Sequence, residues 1–130
     1  LEKMESLRMA GQLDEHQEEL TRVLRYRYNW QLRQAALRAV SELKRPSKDV
    51  FDVLMSIVKD DYCDMETRLL ACDAVRHWIR RLHGRPEAAG LEADVAQSAA
   101  EILRVQQPPV LRKAVEGWRA QCSAARMAGD

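Results

Sequence analysis

The chain has 130 residues, 46% hydrophobic and 32% charged, with a formal net charge of +1. That length suits one domain with a core of ordinary size, and that composition excludes a disordered chain. A charge so near zero excludes a global field drawing the chain to nucleic acid or an anionic membrane, so any basic partner surface has to be local.

In chain order, Gly11, Pro46, Gly84, Pro86, Gly90, Pro108 and Pro109 punctuate the sequence. Between these marks the apolar spacing is helical. Leu32, Ala35, Ala36, Ala39, Val40 and Leu43 form one stripe, Val50, Val53, Leu54, Ile57 and Val58 a second, and Leu70, Ala71, Ala74, Val75 and Trp78 a third. Period-two alternation occurs only over residues 25–28, too short for a strand. The chain therefore reads as all-α, with helices predicted over 2–10, 14–27, 30–44, 48–59, 65–82, 91–105 and 109–125. Asn29 and Asp64 stand at N-cap positions, and Pro109 suits the first turn of the last helix.

Charge is segregated along these elements. Residues 22–45 hold seven basic side chains (Arg22, Arg25, Arg27, Arg33, Arg38, Lys44, Arg45) against one acid, Glu42. Residues 48–66 hold six acids against Lys48 and Lys59, and residues 76–85 hold four arginines and no acid.

The sequence also repeats itself. A shift of 35 positions carries Asn29 onto Asp64, Arg33 onto Arg68, Ala36 onto Ala71, Ala39 onto Ala74, Val40 onto Val75 and Leu43 onto Trp78. Leu111-Arg112 stands in the corresponding place of a third, looser copy. A period of this size points to stacked helix pairs, none able to bury its apolar stripe alone.

The stretches NWQLRQAALRAVSEL and DMETRLLACDAVRHWI resemble the second helix of a HEAT repeat. Arg33 and Arg68 match the repeat's Arg, and Asn29 and Asp64 its loop Asp. Thr67 replaces the usual Val, and the third copy has Val115 and Trp118 where alanines belong. The resemblance to the HEAT/armadillo family covers residues 18–82 well and 91–122 weakly. It implies a right-handed α-solenoid of about three antiparallel helix pairs (14–44, 48–82, 91–125) in a single domain after an N-terminal helix 2–10. The alanines would let helices approach closely, and the arginines would fix the turn between paired helices.

No residue set points to catalysis. His16, His77 and His83 stand in no HExxH, and GxGxxG, P-loop and GxSxG motifs do not occur. The acidic loop DDYCDME lacks EF-hand spacing and reads as a solvated turn with one capping Asp. Cys63, Cys72 and Cys122 are odd in number with no CxxC pair, which speaks against disulfides or zinc and fits a reducing intracellular compartment, cytoplasmic or nuclear. No apolar run reaches membrane-span length and no signal peptide opens the chain, so no membrane contact is expected. The start at Leu1 reads as a segment of a longer protein. No enzyme activity, cofactor or metal is assigned.

The expected function is a protein-interaction scaffold that docks a partner helix or extended peptide on its second-helix face. With the apolar stripe turned inward, Gln34, Arg38 and Arg45 face outward on one second helix, Asp73, Arg76, His77 and Arg80 on the next, and Lys113 on the third. In the segment RYRYNW, Trp30 is expected to seal the corner between two helices, while Arg25, Arg27 and Tyr28 are expected to be exposed for contact. The alternative is nucleic-acid binding along 22–45, by arginines on phosphates and aromatics on bases. Self-association through exposed terminal helices is a further expectation.

Overall fold

The computed structural model describes residues 13–26, 28–86 and 88–129. A 3-10 turn, Leu13–His16, leads into α1 (Gln17–Arg25), followed by α2 (Trp30–Val40), α3 (Lys48–Lys59), α4 (Met65–Leu82), α5 (Ala88–Leu103) and α6 (Pro109–Gly129). No strand occurs among the described residues. The predicted helix 2–10 and Arg27 lie outside them.

The predicted starts of α2, α3, α4 and α6 are met, and three of the caps are explicit. Asn29 Oδ1 accepts from Leu32 N at 3.0 Å, Ser47 Oγ from Val50 N at 3.2 Å, and Asp64 Oδ2 from Thr67 N at 2.9 Å. Helix α2 ends earlier than predicted, at Val40 rather than residue 44. Glu42 N and Leu43 N tighten to the carbonyls three residues back, and the Asp14 carboxylate accepts from Lys44 N at 3.1 Å and Arg45 N at 2.7 Å, holding these residues off the helical path ahead of Pro46. Gln17 completes the tie, donating to Arg45 O and accepting from Ser47 N. At the turn after α4, Gly84 has φ of 81°, a left-handed conformation in which a Cβ is strained.

Helix α1 packs on α2 and α3, α4 on α2, α3 and α6, and α5 on α6 and more lightly on α4. Helices α2 and α4 run in the same direction. Gln34 meets Thr67 near their starts, while Trp78 Nε1 donates to Val40 O at 2.7 Å and Arg81 Nη1 to Leu43 O at 2.7 Å near their ends. Val40 O also accepts from Leu43 N at 3.1 Å, so the indole is its second donor, while Arg81 reaches a carbonyl beyond the end of α2. Ala36, Ala39, Ala71 and Ala74 are fully buried, in keeping with their expected role in close helix approach. Around them the core is filled by Leu20, Leu24, Leu37, Leu54, Trp78 and Trp118, each contributing about 1.5–3 kcal/mol relative to exposure.

The repeated arginines occupy matching settings. Arg33 Nε donates to Leu24 O at 3.0 Å, and Arg68 Nε and Nη2 donate to Val58 O at 3.0 and 2.8 Å. Leu24 and Val58 are the penultimate residues of α1 and α3. In the third copy the match fails: Arg112 is exposed and pairs with Glu116, while Gln107 from the preceding turn donates to Ile102 O, the penultimate carbonyl of α5. The acid near the Arg68 guanidinium is Asp61, at 3.7 Å, and Asp64 serves as the cap.

Candidate functional site

Helices α4 and α6 leave an open groove of about 520 Å³ between them. It arises from side-chain size. Ala114 and Gly117 present little bulk on α6, so the flank of α4 carrying Leu69 and Leu70 stays uncovered. Trp118 closes the bottom, held by its indole N–H donating to Cys72 O at 3.0 Å. Glu66, Asp73, Arg76 and Lys113 stand around this apolar floor. A mostly apolar recess with a few polar groups at its margin is the usual form of a binding pocket.

The rim is electrostatically organised. Arg76 Nη2 lies 2.7 Å from Asp73 Oδ1, and His77 Nε2 lies 3.7 Å from Asp73 Oδ2. The Asp73 carboxylate therefore orients Arg76 on one edge of α4, with the His77 ring beside it. Beneath, burial pushes the Cys72 thiol up to about 12, so it stays protonated and poorly nucleophilic at neutral pH. Burial also raises the Cys63 thiol. Among the described residues, no three His, Cys, Asp or Glu side chains converge to hold a metal ion, and no helix is long and apolar enough to cross a membrane.

The predicted site residues divide into four groups. Asp73, Arg76 and Lys113 line the groove, with His77 and exposed Arg80 further along α4. Arg38 and Arg45 are exposed on and just after α2, away from the groove. Arg25 and Tyr28 are exposed at the α1–α2 turn. Gln34 requires a correction: expected to face outward, it is 5% exposed, with Nε2 donating to Thr67 Oγ1 at 3.2 Å where α4 covers α2. Its amide joins two helices and is closed to a partner.

Trp30 departs from expectation in the other direction. It is 59% exposed and does not seal the corner. The Arg33 side chain, bonded to Leu24 O and 3.9 Å from Cys63 Sγ, occupies that region instead. The basic stretch 22–45 is divided too: Arg22 and Arg25 lie before α2, and Lys44 and Arg45 beyond its other end, about 16 Å of helix away. A second, smaller cleft of about 200 Å³ lies between α1 and α3, lined by Leu24, Arg25, Arg33, Asp52 and Ile57 among others.

Sequence reasoning missed the groove floor. Leu70 and Trp118 read as core positions, and the missing bulk at Ala114 and Gly117 matters only beside α4. Gly117 inside a helical stretch was the available signal. Comparison with protein-family models, with curated proteins and with solved structures finds no match to this chain.

Proposed function

We propose that the chain is a non-catalytic interaction module of HEAT-like construction, a right-handed stack of helix pairs that docks a partner helix on its second-helix face. The single observation that carries this reading is the α4–α6 groove, with Leu69, Leu70 and Trp118 as an apolar floor and Arg76 and Lys113 at its margin. An amphipathic partner helix would lay an apolar side chain on Leu69 and Leu70, above the buried Trp118, and present carboxylates to the two cations. The stacked-pair interpretation draws support from the matching bonds of Arg33 and Arg68 and from the common direction of α2 and α4. An intracellular setting suits three cysteines outside any disulfide.

The test is selection of binding peptides from a displayed helical library. Gly117→Leu is the discriminating variant, because a Cβ at Gly117 meets nothing within 4 Å and the larger side chain fills the groove without disturbing the helix. Selected peptides should be amphipathic, and Gly117→Leu should weaken their binding at least about tenfold, the effect of losing a hot-spot contact. Undiminished binding to Gly117→Leu would remove the groove from the function.

A further inference from the structure

Arg33 and Arg68 hold equivalent carbonyls, yet only Arg68 has an acid in contact. Asp61, in the α3–α4 turn, lies 3.7 Å from Arg68 Nη2. The matching α1–α2 stretch reads Arg25-Tyr26-Arg27-Tyr28-Asn29 and contains no carboxylate. Among the described residues, Arg33 makes no ion pair and its Nη2 has no hydrogen-bond partner. The Asp64 carboxylate feels the Arg33 charge but is engaged by Thr67 N and Oγ1. The sulfur 3.9 Å from Arg33 Nη1 is that of Cys63, whose thiol burial pushes up, so it stays neutral and supplies no counter-charge.

A second cation stands next to this one. The bond from Arg33 Nε to Leu24 O, 3.0 Å long, holds the guanidinium against the peptide unit that Leu24 shares with Arg25. Both arginines line the cleft of about 200 Å³ between α1 and α3, with Ser56 on the α3 wall and the buried side chains of Leu24, Val53 and Ile57 beneath. Asp52 is the acid in the lining, and its Oδ1 lies 3.6 Å from Lys48 Nζ, so its charge is taken up one turn back along α3. A recess that holds two like charges together, with no acid between them, focuses a field that attracts an anion.

We propose that this cleft binds a phosphate monoester, with Arg25 and Arg33 on its oxygens and the Ser56 hydroxyl as a third donor. Charge is the first argument. A monoester carries about −1.5 to −2 at neutral pH, matching two guanidiniums, whereas a carboxylate or a phosphodiester carries a single charge. Shape is the second. Arg25 closes α1, Arg33 lies on α2 and Ser56 on α3, so the donors reach a tetrahedral group from different sides, whereas a planar carboxylate is met by one fork. Size is the third. Ligand pockets usually measure about 300–1,000 Å³. A cleft of about 200 Å³ takes the phosphate and the atoms next to it and leaves a nucleoside outside. The site is separate from the α4–α6 groove and does not depend on it. A free phosphate ester and a phosphorylated side chain of a peptide offer the same group, and the test tells them apart.

The test titrates the chain with glycerophosphate and with a short glycine-flanked phosphoserine peptide, following the NMR signals of Leu24, Val53, Ser56 and Ile57. Controls are dimethyl phosphate, acetate and the unphosphorylated peptide. The monoesters should shift these signals saturably, and the diester and acetate should bind about tenfold more weakly or worse. Arg25 is exposed, so Arg25→Gln should keep the thermal midpoint while weakening binding about tenfold or more. Arg22, one turn earlier, does not line the cleft, and Arg22→Gln should leave binding unchanged. Asp52→Asn should tighten it by removing the one acid of the lining. Gly117→Leu should have no effect, which separates failure of this site from failure of the groove. Similar affinity for the two monoesters assigns a free ester, and clearly tighter binding of the phosphopeptide assigns a phosphorylated chain; either upholds the phosphate site. No saturable shift at the cleft, equal binding of dimethyl phosphate or acetate, indifference to Arg25→Gln, an equal loss in Arg22→Gln, or weaker binding to Asp52→Asn would each overturn the proposal.

Discussion

Arg33 and Arg68 stand 35 positions apart and grip the same point of successive helices, the penultimate carbonyls Leu24 O and Val58 O. They differ in depth. Arg68 is 3% exposed and donates from two nitrogens, whereas Arg33 is only partly buried and reaches Leu24 O through Nε alone. Charged hydrogen bonds to a buried acceptor outweigh those near water, so the two arginines should not count equally. Arg68→Ala is expected to lower unfolding free energy by about 2–4 kcal/mol and Arg33→Ala by about 1–2 kcal/mol. Arg68→Lys should recover only part of the loss, because an ammonium lacks the two-pronged fork. Urea titrations of the three variants measure this, and equal costs at the two sites would count against it.

The tryptophans divide in the same way. Trp78 donates to Val40 O from a fully buried position, whereas Trp30 lies open to solvent. Trp78→Phe should cost about 1–3 kcal/mol through the lost bond and the space left behind. Trp30→Phe should change stability by less than about 0.5 kcal/mol. It should also abolish most of the acrylamide quenching of native fluorescence. Quenching that survives in Trp30→Phe would mean that Trp78 or Trp118 is reached by solvent.

Glycine substitutions read out backbone geometry. Gly90 and Gly117 are helical, and a Cβ at either meets nothing within 4 Å. Gly90→Ala and Gly117→Ala should each stabilise by about 0.5–1 kcal/mol. Gly84→Ala should destabilise despite equally open space, because its φ of 81° strains any side chain. Thermal midpoints rising for the first two and falling for the third are the expected pattern.

Acid should loosen the start of α4. Partial burial works to raise the Asp64 pKa, but hydrogen bonds from the Thr67 backbone and hydroxyl, with the nearby Arg33 charge, outweigh it and hold it below its ordinary value. A lowered folded-state pKa means stability that is complete above the unfolded value of about 3.9 and is lost as pH falls through the folded value. Asp64→Asn keeps a capping acceptor and removes the titration. Its urea midpoint should fall less steeply than wild type below about pH 4. Parallel acid limbs for the two proteins would refute this role for Asp64.

Local chemistry made much of this chain legible without coordinates. Helical periodicity fixes which side chains share a stripe, and cap residues fix where helices start, because both depend on residues within four positions of each other. Hence Asn29 and Asp64, read as caps, begin helices where their side chains reach forward to free backbone N–H groups; Ser47 caps α3 in the same way but was not picked out from the sequence. The recurrence of Arg33 and Arg68 was visible as a repeat, though not the carbonyls they would hold.

Tertiary structure alone decided what depends on neighbours distant in sequence. Gln34 reads as a surface residue until Thr67, on another helix, supplies a partner for its amide and buries it. Trp30 reads as a corner plug until Arg33, with a carbonyl and a sulfur to hold it, takes the region instead. The α4–α6 groove and the α1–α3 cleft are properties of helices set side by side. A stripe shows which face of a helix avoids water, but not which helix will cover it or how completely.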